Sequence, residues 1–194
     1  MISQGDFFLF CAWFFDIIKI KKKGRTFFME IRTKRLLIKP IEERDAQAMC
    51  AIFDSDIVKK TYMIPDLATE EAKMKLFRRF VALSRDDAHF VRGIYEGDTL
   101  VGFLNDTEIH GGSIELGYVI APAFHGRGYM TEALSAVIDH LLKNGFDEVL
   151  TGAFSTNTAS IRVMEKCGMT RLNTHATIEY RGKLHDCVYY GKKR

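Results

Sequence analysis

The sequence contains a loop whose residue types suit the binding of a phosphate-like anion. It reads His125-Gly126-Arg127-Gly128, follows an apolar run that ends at Pro122, and leads into a helical pattern at about Tyr129. Glycine lets a ligand approach the backbone closely, and the first turn of a helix presents free N–H groups and the positive end of its dipole. The loop therefore predicts a pyrophosphate-sized anion site, to which Arg127 adds positive charge. It matches neither GxxxxGK[ST] nor GxGxxG, which disfavours ATP and NAD as ligands.

The elements that must position this loop alternate between strand and helix periodicity. Apolar residues at spacings of three and four predict helices, and short apolar runs bounded by turn residues predict strands. The predicted helices cover about residues 44–53, 69–83, 129–143 and 158–166, and the predicted strands cover about residues 36–38, 89–95, 100–106, 114–121 and 148–154, with two final strands joined at 180–183. This order predicts one α/β domain, residues 29–194, with a mixed sheet and helices on both faces.

The glycine loop and a second block resemble signature sequences of the GNAT acetyltransferases. In that family the coenzyme loop reads Gln/Arg-x-x-Gly-x-Gly/Ala, and here His125 and Met130 replace the first and last of these residues. The second block begins at Asn157, includes Ser160 and ends near Gly168, and it is similar to the family's Asn-x-x-Ser-x-x-x-x-Glu-Lys-x-Gly block. The resemblance implies the GNAT fold, an α+β arrangement with a mixed, mostly antiparallel twisted sheet of about six to seven strands. It also implies acetyl-CoA as the co-substrate, and no metal.

The resemblance further implies which residues hold the coenzyme. Asn157 is expected to hydrogen-bond the pantetheine arm, and Ser160 is expected to face the thioester sulfur. Asn157 equally fits the N-cap of the helix that follows it. Backbone N–H groups near residues 119–121 are expected to stabilise the developing oxyanion. The complete set of expected coenzyme-binding residues is Val119, Ile120, Ala121, His125, Gly126, Arg127, Gly128, Tyr129, Met130, Thr131, Asn157 and Ser160.

A third block narrows the resemblance to the Rim-type acetyltransferases, which modify the amino termini of ribosomal proteins. The segment from Ile178 to Asp186 resembles their Glu-Tyr-x-x-Gly-x-x-x-Asp hairpin. This similarity implies Glu179 as general base and Ser160 as general acid. Glu115, on the predicted strand beside the coenzyme loop, is a second candidate for the base, and strand alternation leaves open whether it points at the cleft.

The implied reaction is direct attack of a primary amine on the acetyl carbonyl. At about pH 7, an α-amine with a pKa of about 8 needs roughly 1.4 kcal/mol for deprotonation, whereas a lysine at about 10.4 needs roughly 4.6 kcal/mol. A protein or peptide N-terminal α-amine is therefore the favoured acceptor. A polyamine, amino sugar or antibiotic is an alternative that an acidic cleft would favour, and the acidic residues available for one are Asp54, Asp56, Asp66, Glu70 and Glu71. A non-catalytic acetyl-CoA-binding module is a third hypothesis.

The composition excludes some classes of partner. The 194 residues include 28 basic and 25 acidic side chains, a net charge of +3, which is too even a balance to indicate a nucleic-acid-binding surface. The four cysteines form no CxxC pair, so the sequence suggests neither a disulfide framework nor a zinc site. Single thiols are typical of a reducing compartment, and a cytoplasmic location is expected. A monomer and a homodimer both fit the sequence.

Residues 1–28 form a hydrophobic and basic N-terminal extension whose role is open. Residues 7–18 contain the only tryptophan and five of the fifteen phenylalanines, and a lysine-rich run follows them. This apolar run is shorter than the roughly 17 residues that a membrane-spanning helix needs, and it lacks the charge order of a secretory signal. Three interpretations stay open: a segment translated from upstream of the biological start, an element packed on the domain or at a dimer contact, and, least favoured, a membrane-surface anchor.

Overall fold

Residues 30–194, the part of the chain described by the computed structural model, form one eight-stranded sheet flanked by five helices. The strands are β1 (Ile31–Arg32), β2 (Leu37–Lys39), β3 (Val91–Glu96), β4 (Thr99–His110), β5 (Ser113–Ile120), β6 (Glu148–Phe154), β7 (Thr170–Tyr180) and β8 (Lys183–Lys193). The helices are α1 (Ala46–Asp54), α2 (Asp56–Lys59), α3 (Glu70–Ser84), α4 (Tyr129–Lys143) and α5 (Thr158–Lys166). The predicted extension 1–28 and Met29 lie outside the described residues.

The order of the strands across the sheet is β1-β2-β3-β4-β5-β6-β8-β7. Every neighbouring pair is antiparallel except β5 and β6, which run parallel. The predicted fold class, a mixed and mostly antiparallel sheet, is confirmed. The additional strand is β1, whose two residues pair with β2 and are too few to show a periodic pattern in the sequence.

Helices pack on both faces of the sheet, as predicted. On one face, α4 buries Leu134 and Ile138 beside Met164 of α5. On the other face, α3 buries Phe77 and Phe80 together with residues of α1 and α2. Each large apolar side chain buried in this way contributes about 2 kcal/mol to folding. These are called below the α4–α5 face and the α1–α3 face.

Local signals set the ends of the helices that matter for the cleft. The α3 helix begins after Thr69, whose hydroxyl oxygen accepts a hydrogen bond from the Ala72 N–H at 3.1 Å. The α4 helix ends at Lys143, and Gly145 then takes a left-handed φ of 102°. Within residues 30–194, no helix is both long and apolar enough to cross a membrane.

The two parallel strands separate along their length. β5 and β6 are paired only through residues 113–115 of β5 and 148–150 of β6. Beyond this point β6 pairs with β8 on its other side, and β5 pairs with β4. The edge of β5 from Leu116 to Ile120 is therefore open toward β6, and this opening is called the β5–β6 gap.

Candidate active site

The predicted anion loop lies between β5 and the start of α4. Gly126 and Gly128 both have a φ of 75°, a left-handed conformation that costs other L-residues about 1–2 kcal/mol. The first hydrogen bond of α4 runs from the Glu132 N–H to the Gly128 carbonyl oxygen at 3.1 Å. Within the described residues, the N–H groups of residues 126–131 donate to no protein acceptor. Six consecutive amides and the positive end of the helix dipole are thus available to an anion.

The side chains on this loop offer fewer groups to a bound anion than its backbone does. The Nε2 atom of His125 lies 2.8 Å from the Ile120 carbonyl oxygen, which can only accept, so Nε2 carries a proton. Arg127 stays exposed, with its guanidinium over the Phe124 ring and 3.3 Å from the Ala123 carbonyl oxygen. Two further predicted residues, Tyr129 and Met130, bury their side chains in the core and can offer an anion only their N–H groups. The Thr131 side chain is half-buried.

The open edge of β5 corrects one expectation about the oxyanion. The Ala121 N–H donates to the Val101 carbonyl oxygen at 2.9 Å, so it cannot stabilise an oxyanion. In an antiparallel ladder the backbone N–H groups of successive residues point to alternate edges of the strand. The N–H of Val119 therefore points to β4 as that of Ala121 does, whereas the N–H groups of Tyr118 and Ile120 point to the gap. The free backbone donors beside the gap therefore belong to Tyr118 and Ile120. Sequence reasoning did not single out Tyr118.

The start of α5 lies against the same gap. Asn157 caps the helix: its Oδ1 accepts the Ser160 N–H at 3.1 Å, and its Nδ2 donates to Ser160 Oγ at 3.0 Å. The N-cap role is thus present, and one Nδ2 proton remains for a ligand. Tyr118 donates its hydroxyl proton to the Ser160 carbonyl oxygen at 3.3 Å. The Ser160 hydroxyl accepts from Asn157, so its own proton is available to another group.

A cleft passes through the gap and connects the two faces of the sheet. On the α4–α5 side its lining includes Tyr118, Asn157 and Ser160. On the α1–α3 side it includes Tyr62, Asn105 and Glu115. The remaining lining is mainly aromatic or aliphatic, and Glu115 is the one carboxylate among the described residues that line it.

The backbone around Glu115 explains where its carboxylate points. Its neighbours Ile114 and Leu116 are buried on the α4–α5 face, so Glu115 is directed to the α1–α3 face. The register of β4 shifts between Asp106 and Glu108, so that Glu108 pairs with Glu115 and the additional residue Thr107 lies beside that pair. Burial raises the pKa of the Glu115 carboxyl to about 7; a hydrogen bond with Thr107 opposes the rise, and the charge of Glu108 adds to it. A carboxylate with this pKa is suited to accept a proton near neutral pH.

The α1–α3 side of the cleft contains groups that sequence reasoning missed. The Tyr62 hydroxyl donates to Asn105 Oδ1 at 2.6 Å, and Asn105 Nδ2 donates to the Asp106 carbonyl oxygen at 3.0 Å. The loop that carries Tyr62 is held by Tyr180, whose hydroxyl donates to the Ile64 carbonyl oxygen at 3.2 Å. No motif marks Tyr62, whereas the polar pair Asn105-Asp106 at the end of an apolar strand was a usable signal.

Glu179, the other candidate base, lies elsewhere. It is exposed on β7, opposite Leu184 of β8, and it is not part of the cleft lining. Its neighbour Ile178 does line the cleft, and alternation along the strand places the two side chains on opposite faces. The cleft therefore brings together Ser160 and Glu115 but not Glu179.

The acidic residues considered for a cationic acceptor do not form an acidic cleft. Lys73 pairs with Asp54 at 2.6 Å and also with Glu70, and Arg181 pairs with Asp66 at 2.8 Å. None of the five acidic residues, which also include Asp56 and Glu71, lines the cleft described above. Across residues 30–194, no group of three or more His, Cys, Asp or Glu side chains is placed to hold a metal ion.

The chain matches a family model and is similar to curated proteins. Residues 35–170 match the model described as acetyltransferase (GNAT) domain. YnaD of Bacillus subtilis (strain 168), named as an uncharacterized N-acetyltransferase, is 31% identical over 148 residues, which is 74% of this chain and 84% of YnaD. The match to the family model covers the anion loop, the β5–β6 gap and the start of α5.

Solved structures share the fold. An acetyltransferase of the GNAT family from Bacillus anthracis is 28% identical, with a TM-score of 0.72 over 85% of this chain and 98% of that one. RimL, a ribosomal L7/L12 alpha-N-protein acetyltransferase solved in complex with coenzyme A, has a TM-score of 0.75 over 85% of this chain and 98% of its own. At 18% identity, the RimL comparison shows a common fold alone.

Proposed function

The chain belongs to the GNAT acetyltransferase family and is an acetyl-CoA-dependent N-acetyltransferase, and we propose that its acceptor is the N-terminal α-amine of a protein or peptide. The observation that carries this proposal is the position of Glu115, the carboxylate that lines the cleft, with a pKa raised by burial to about 7. RimL, which shares the fold, is a ribosomal L7/L12 alpha-N-protein acetyltransferase, in agreement with the proposal.

The coenzyme is proposed to bind along the α4–α5 side of the cleft. The free amides of residues 126–131 would hold the pyrophosphate. The open edge of β5 at Ile120 would pair with an amide group of the pantetheine arm, as an added strand would. The remaining Nδ2 proton of Asn157 would bond the same arm. Acetyl-CoA then supplies a thioester carbonyl at the gap.

Glu115 is proposed as the general base in place of Glu179. Transfer of a proton from an α-amine with a pKa near 8 to a carboxylate near 7 is uphill by about 1.4 kcal/mol, whereas transfer from a lysine at about 10.4 is uphill by roughly 4.6 kcal/mol. Glu115 passes the first proton to solvent, the neutral amine attacks the carbonyl carbon, and Glu115 then accepts the second proton from the nitrogen as the C–S bond breaks and the thiolate departs. The lining also disfavours polyamines and aminoglycosides, because these acceptors carry several charges and the cleft offers one carboxylate.

Ser160 is proposed to protonate or hydrogen-bond the departing thiolate. Its hydroxyl accepts from Asn157 Nδ2 at 3.0 Å, which leaves the hydroxyl proton for the sulfur. The Tyr118 hydroxyl donates to the Ser160 carbonyl oxygen and so fixes the first turn of α5 against the gap. The N–H group of Tyr118, farther along the open edge of β5 from the anion loop, is the proposed donor to the oxyanion.

Two substitutions test the assignment of the base. Glu115→Gln is expected to lower kcat about a hundredfold or more, because a positioned base contributes factors of this size. Glu179→Gln, which removes an exposed carboxylate outside the cleft, is expected to change kcat by less than about threefold. The assay measures thiol release from acetyl-CoA, and coenzyme affinity is measured separately. The reverse pattern would assign the base to Glu179.

An acceptor panel tests the substrate class. N-terminal peptides with a free α-amine, the same peptides with a blocked α-amine and a free lysine, spermidine, and an aminoglycoside are compared in one thiol-release assay. The proposal expects the highest kcat/KM for the free α-amine. Faster turnover of spermidine or the aminoglycoside would reject it, and thiol release with none of the acceptors, despite acetyl-CoA binding, would favour a non-catalytic module.

The cysteines agree with a cytoplasmic location, which we also propose. The described cysteines, Cys50, Cys167 and Cys187, are free thiols. Burial raises the pKa of Cys167 to about 11, while the charge of Lys192 opposes this rise and that of Asp139 adds to it. Such a thiol is mostly protonated at neutral pH and unsuited to act as a nucleophile.

A further inference from the structure

The turn between β1 and β2 is bonded directly to the anion loop. Arg35 Nη1 donates to the Arg127 carbonyl oxygen at 3.0 Å, and Arg35 Nε donates to Glu132 Oε2 at 2.7 Å. The other oxygen of Glu132 accepts from the Arg35 backbone N–H at 2.9 Å and from the Thr33 hydroxyl at 2.7 Å. Arg35 thus binds both the loop and the first turn of α4.

The bond to the Arg127 carbonyl orients the peptide group that joins Arg127 to the left-handed Gly128. In a trans peptide the carbonyl and the following N–H point in opposite directions. Arg35 draws the Arg127 carbonyl outward, so the N–H of Gly128 is directed to the other side, into the anion site. This peptide group is flanked by Arg127 and Gly128, and glycine at position 128 lets it follow a left-handed φ of 75° without the steric cost that another residue would meet.

The bond to Glu132 changes the charge that an anion meets. Glu132 lies in the first turn of α4, where a carboxylate stabilises the helix but repels a bound anion. Partial burial raises the pKa of Glu132, but the hydrogen bonds from Thr33 and Arg35 outweigh this effect and place the pKa below its usual value. Glu132 is therefore ionised at neutral pH, and Arg35 supplies the compensating positive charge.

Stability alone does not account for this arrangement. Arg35 is 42% exposed, and exposed ion pairs contribute at most about 1 kcal/mol to folding. Its guanidinium also lies over the Tyr129 ring, 4.7 Å from the ring centre, which fixes its direction. The bonds that Arg35 makes end on Arg127 and Glu132, the two residues that set the geometry and charge of the anion site.

We propose that Arg35 is a positioning residue for the coenzyme: it orients the Gly128 amide toward the pyrophosphate and neutralises Glu132, which would otherwise repel that group. The inference rests on the proposed role of the amides of residues 126–131. It assigns a function in coenzyme binding to a turn that is more than ninety positions away in the sequence.

The test compares acetyl-CoA with a thioester that lacks its pyrophosphate and the 3′-phosphoadenosine attached to it. Arg35→Gln is expected to raise the Kd for acetyl-CoA about tenfold, because it leaves Glu132 uncompensated beside the anion. Binding of S-acetylpantetheine, which has the thioester and arm but no pyrophosphate, is expected to be unchanged, as is kcat at saturating acetyl-CoA. Arg32→Gln is the matched control, because Arg32 is an exposed arginine of the same segment that pairs with Glu30.

Two further variants keep the test decisive. Arg35→Gln/Glu132→Gln removes the unpaired charge and is expected to recover part of the lost affinity. Arg35→Lys keeps the positive charge, but an ammonium group cannot donate to Glu132 and to the Arg127 carbonyl with the geometry of the planar guanidinium. This variant is expected to weaken acetyl-CoA binding about threefold. It also replaces Arg35→Gln if that variant does not fold.

The outcomes separate this inference from the proposed function. Wild-type affinity for acetyl-CoA in both Arg35→Gln and Arg35→Lys would overturn the inference. Equal losses for acetyl-CoA and S-acetylpantetheine, together with a lowered Tm, would also overturn it, since they would show a structural role. If the wild-type protein binds S-acetylpantetheine as tightly as acetyl-CoA, the amides of residues 126–131 do not hold the pyrophosphate and the proposed coenzyme site itself fails.

Discussion

The proposed pyrophosphate site, here called the coenzyme end, is made of backbone from one continuous stretch, whereas the proposed acceptor end of the cleft is made of side chains from distant segments. The amides of residues 126–131 follow one another along the chain. Tyr62, Asn105 and Glu115 come from a loop and two strands, and the sheet brings them together. The first end depends on backbone conformation, and the second depends on tertiary packing.

This difference predicts how each end responds to substitution. A site of N–H groups tolerates changes of side chain but not changes that forbid its left-handed φ values. A site of side chains loses function when a single group is removed, and it can change acceptor without disturbing the coenzyme. The following experiments ask whether the two ends are in fact independent.

The largest expected effect is on the pH dependence at the acceptor end. Glu115 must be ionised to accept a proton, and its pKa is raised to about 7 by burial, so kcat/KM is expected to rise as the pH increases through about 7. In Glu115→Gln this rise of kcat/KM is expected to disappear, and kcat/KM above about pH 7 is expected to be about a hundredfold lower than in the wild type. A profile of kcat/KM between about pH 5.5 and 9 measures it. An unchanged rise of kcat/KM in the variant would mean that the titration of another group causes it.

The next effect tests the backbone character of the coenzyme end. Gly126→Ala is expected to raise the Kd for acetyl-CoA about tenfold, because a left-handed φ costs alanine about 1–2 kcal/mol. A Cβ at Gly126 has nothing within 4 Å, so conformation alone causes the loss. His125→Ala is expected to change the Kd by less than about threefold, since its side chain bonds the Ile120 carbonyl.

A matched glycine controls for the strain itself. Gly111 has a φ of 59°, and a Cβ there also meets nothing within 4 Å, but it lies in the turn between β4 and β5, before the opposite end of β5. Gly111→Ala is expected to lower stability by a similar amount and to leave the Kd for acetyl-CoA unchanged. Equal losses in both variants would show that general strain, and not the anion loop, weakens binding.

A smaller effect is expected from the loop on the α1–α3 side. Tyr62→Phe removes a 2.6 Å hydrogen bond to Asn105 and is expected to raise the KM for the acceptor about fivefold, the value of one neutral hydrogen bond. The Kd for acetyl-CoA is expected to stay the same. A parallel loss of coenzyme affinity would show that the two ends are coupled through the gap.

The same contrast explains what could be predicted from the sequence. The loop 125–128, the start of α4 and the Asn157 cap were predicted because each depends on residues a few positions apart. The assignment of Ala121 as an amide donor was wrong, because the bond of its N–H to Val101 depends on the register of β4 and β5. Sequence left the base open between Glu115 and Glu179.

The features that could not be predicted depend on contacts between residues far apart in the sequence. Tyr62 was missed because it lies in a loop with no motif, and the contacts that hold this loop include distant residues such as Asn105 and Tyr180. The opening between β5 and β6 was equally hidden, since it results from where the pairing of two strands ends. The bonds from Arg35 to α4 connect segments more than ninety positions apart, which no local pattern reveals.

The smallest expected effect is that of Glu115→Gln on stability. The substitution is expected to stabilise the fold although it lowers turnover. The pKa of Glu115 is raised from 4.5 to about 7 by burial, so the folded state binds its proton more tightly than the unfolded state does. Ionisation above about pH 7 therefore costs folding free energy, and the cost is absent below about pH 4.5, where both states are protonated. Glu115→Gln is expected to raise the unfolding free energy at about pH 8 by about 1 kcal/mol, or the Tm by roughly 3 °C.

This gain should shrink as the pH falls toward about 4.5, which thermal unfolding at a series of pH values measures. Glu179→Gln is the comparison, because an exposed carboxylate gives no such pH-dependent gain. A pH-independent change in Glu115→Gln would mean that the carboxylate is solvated in the folded protein, and the acceptor end would then lack the buried base on which its difference from the coenzyme end depends. A gain confined to high pH would show that the protein gives up stability to hold an ionisable group at the gap.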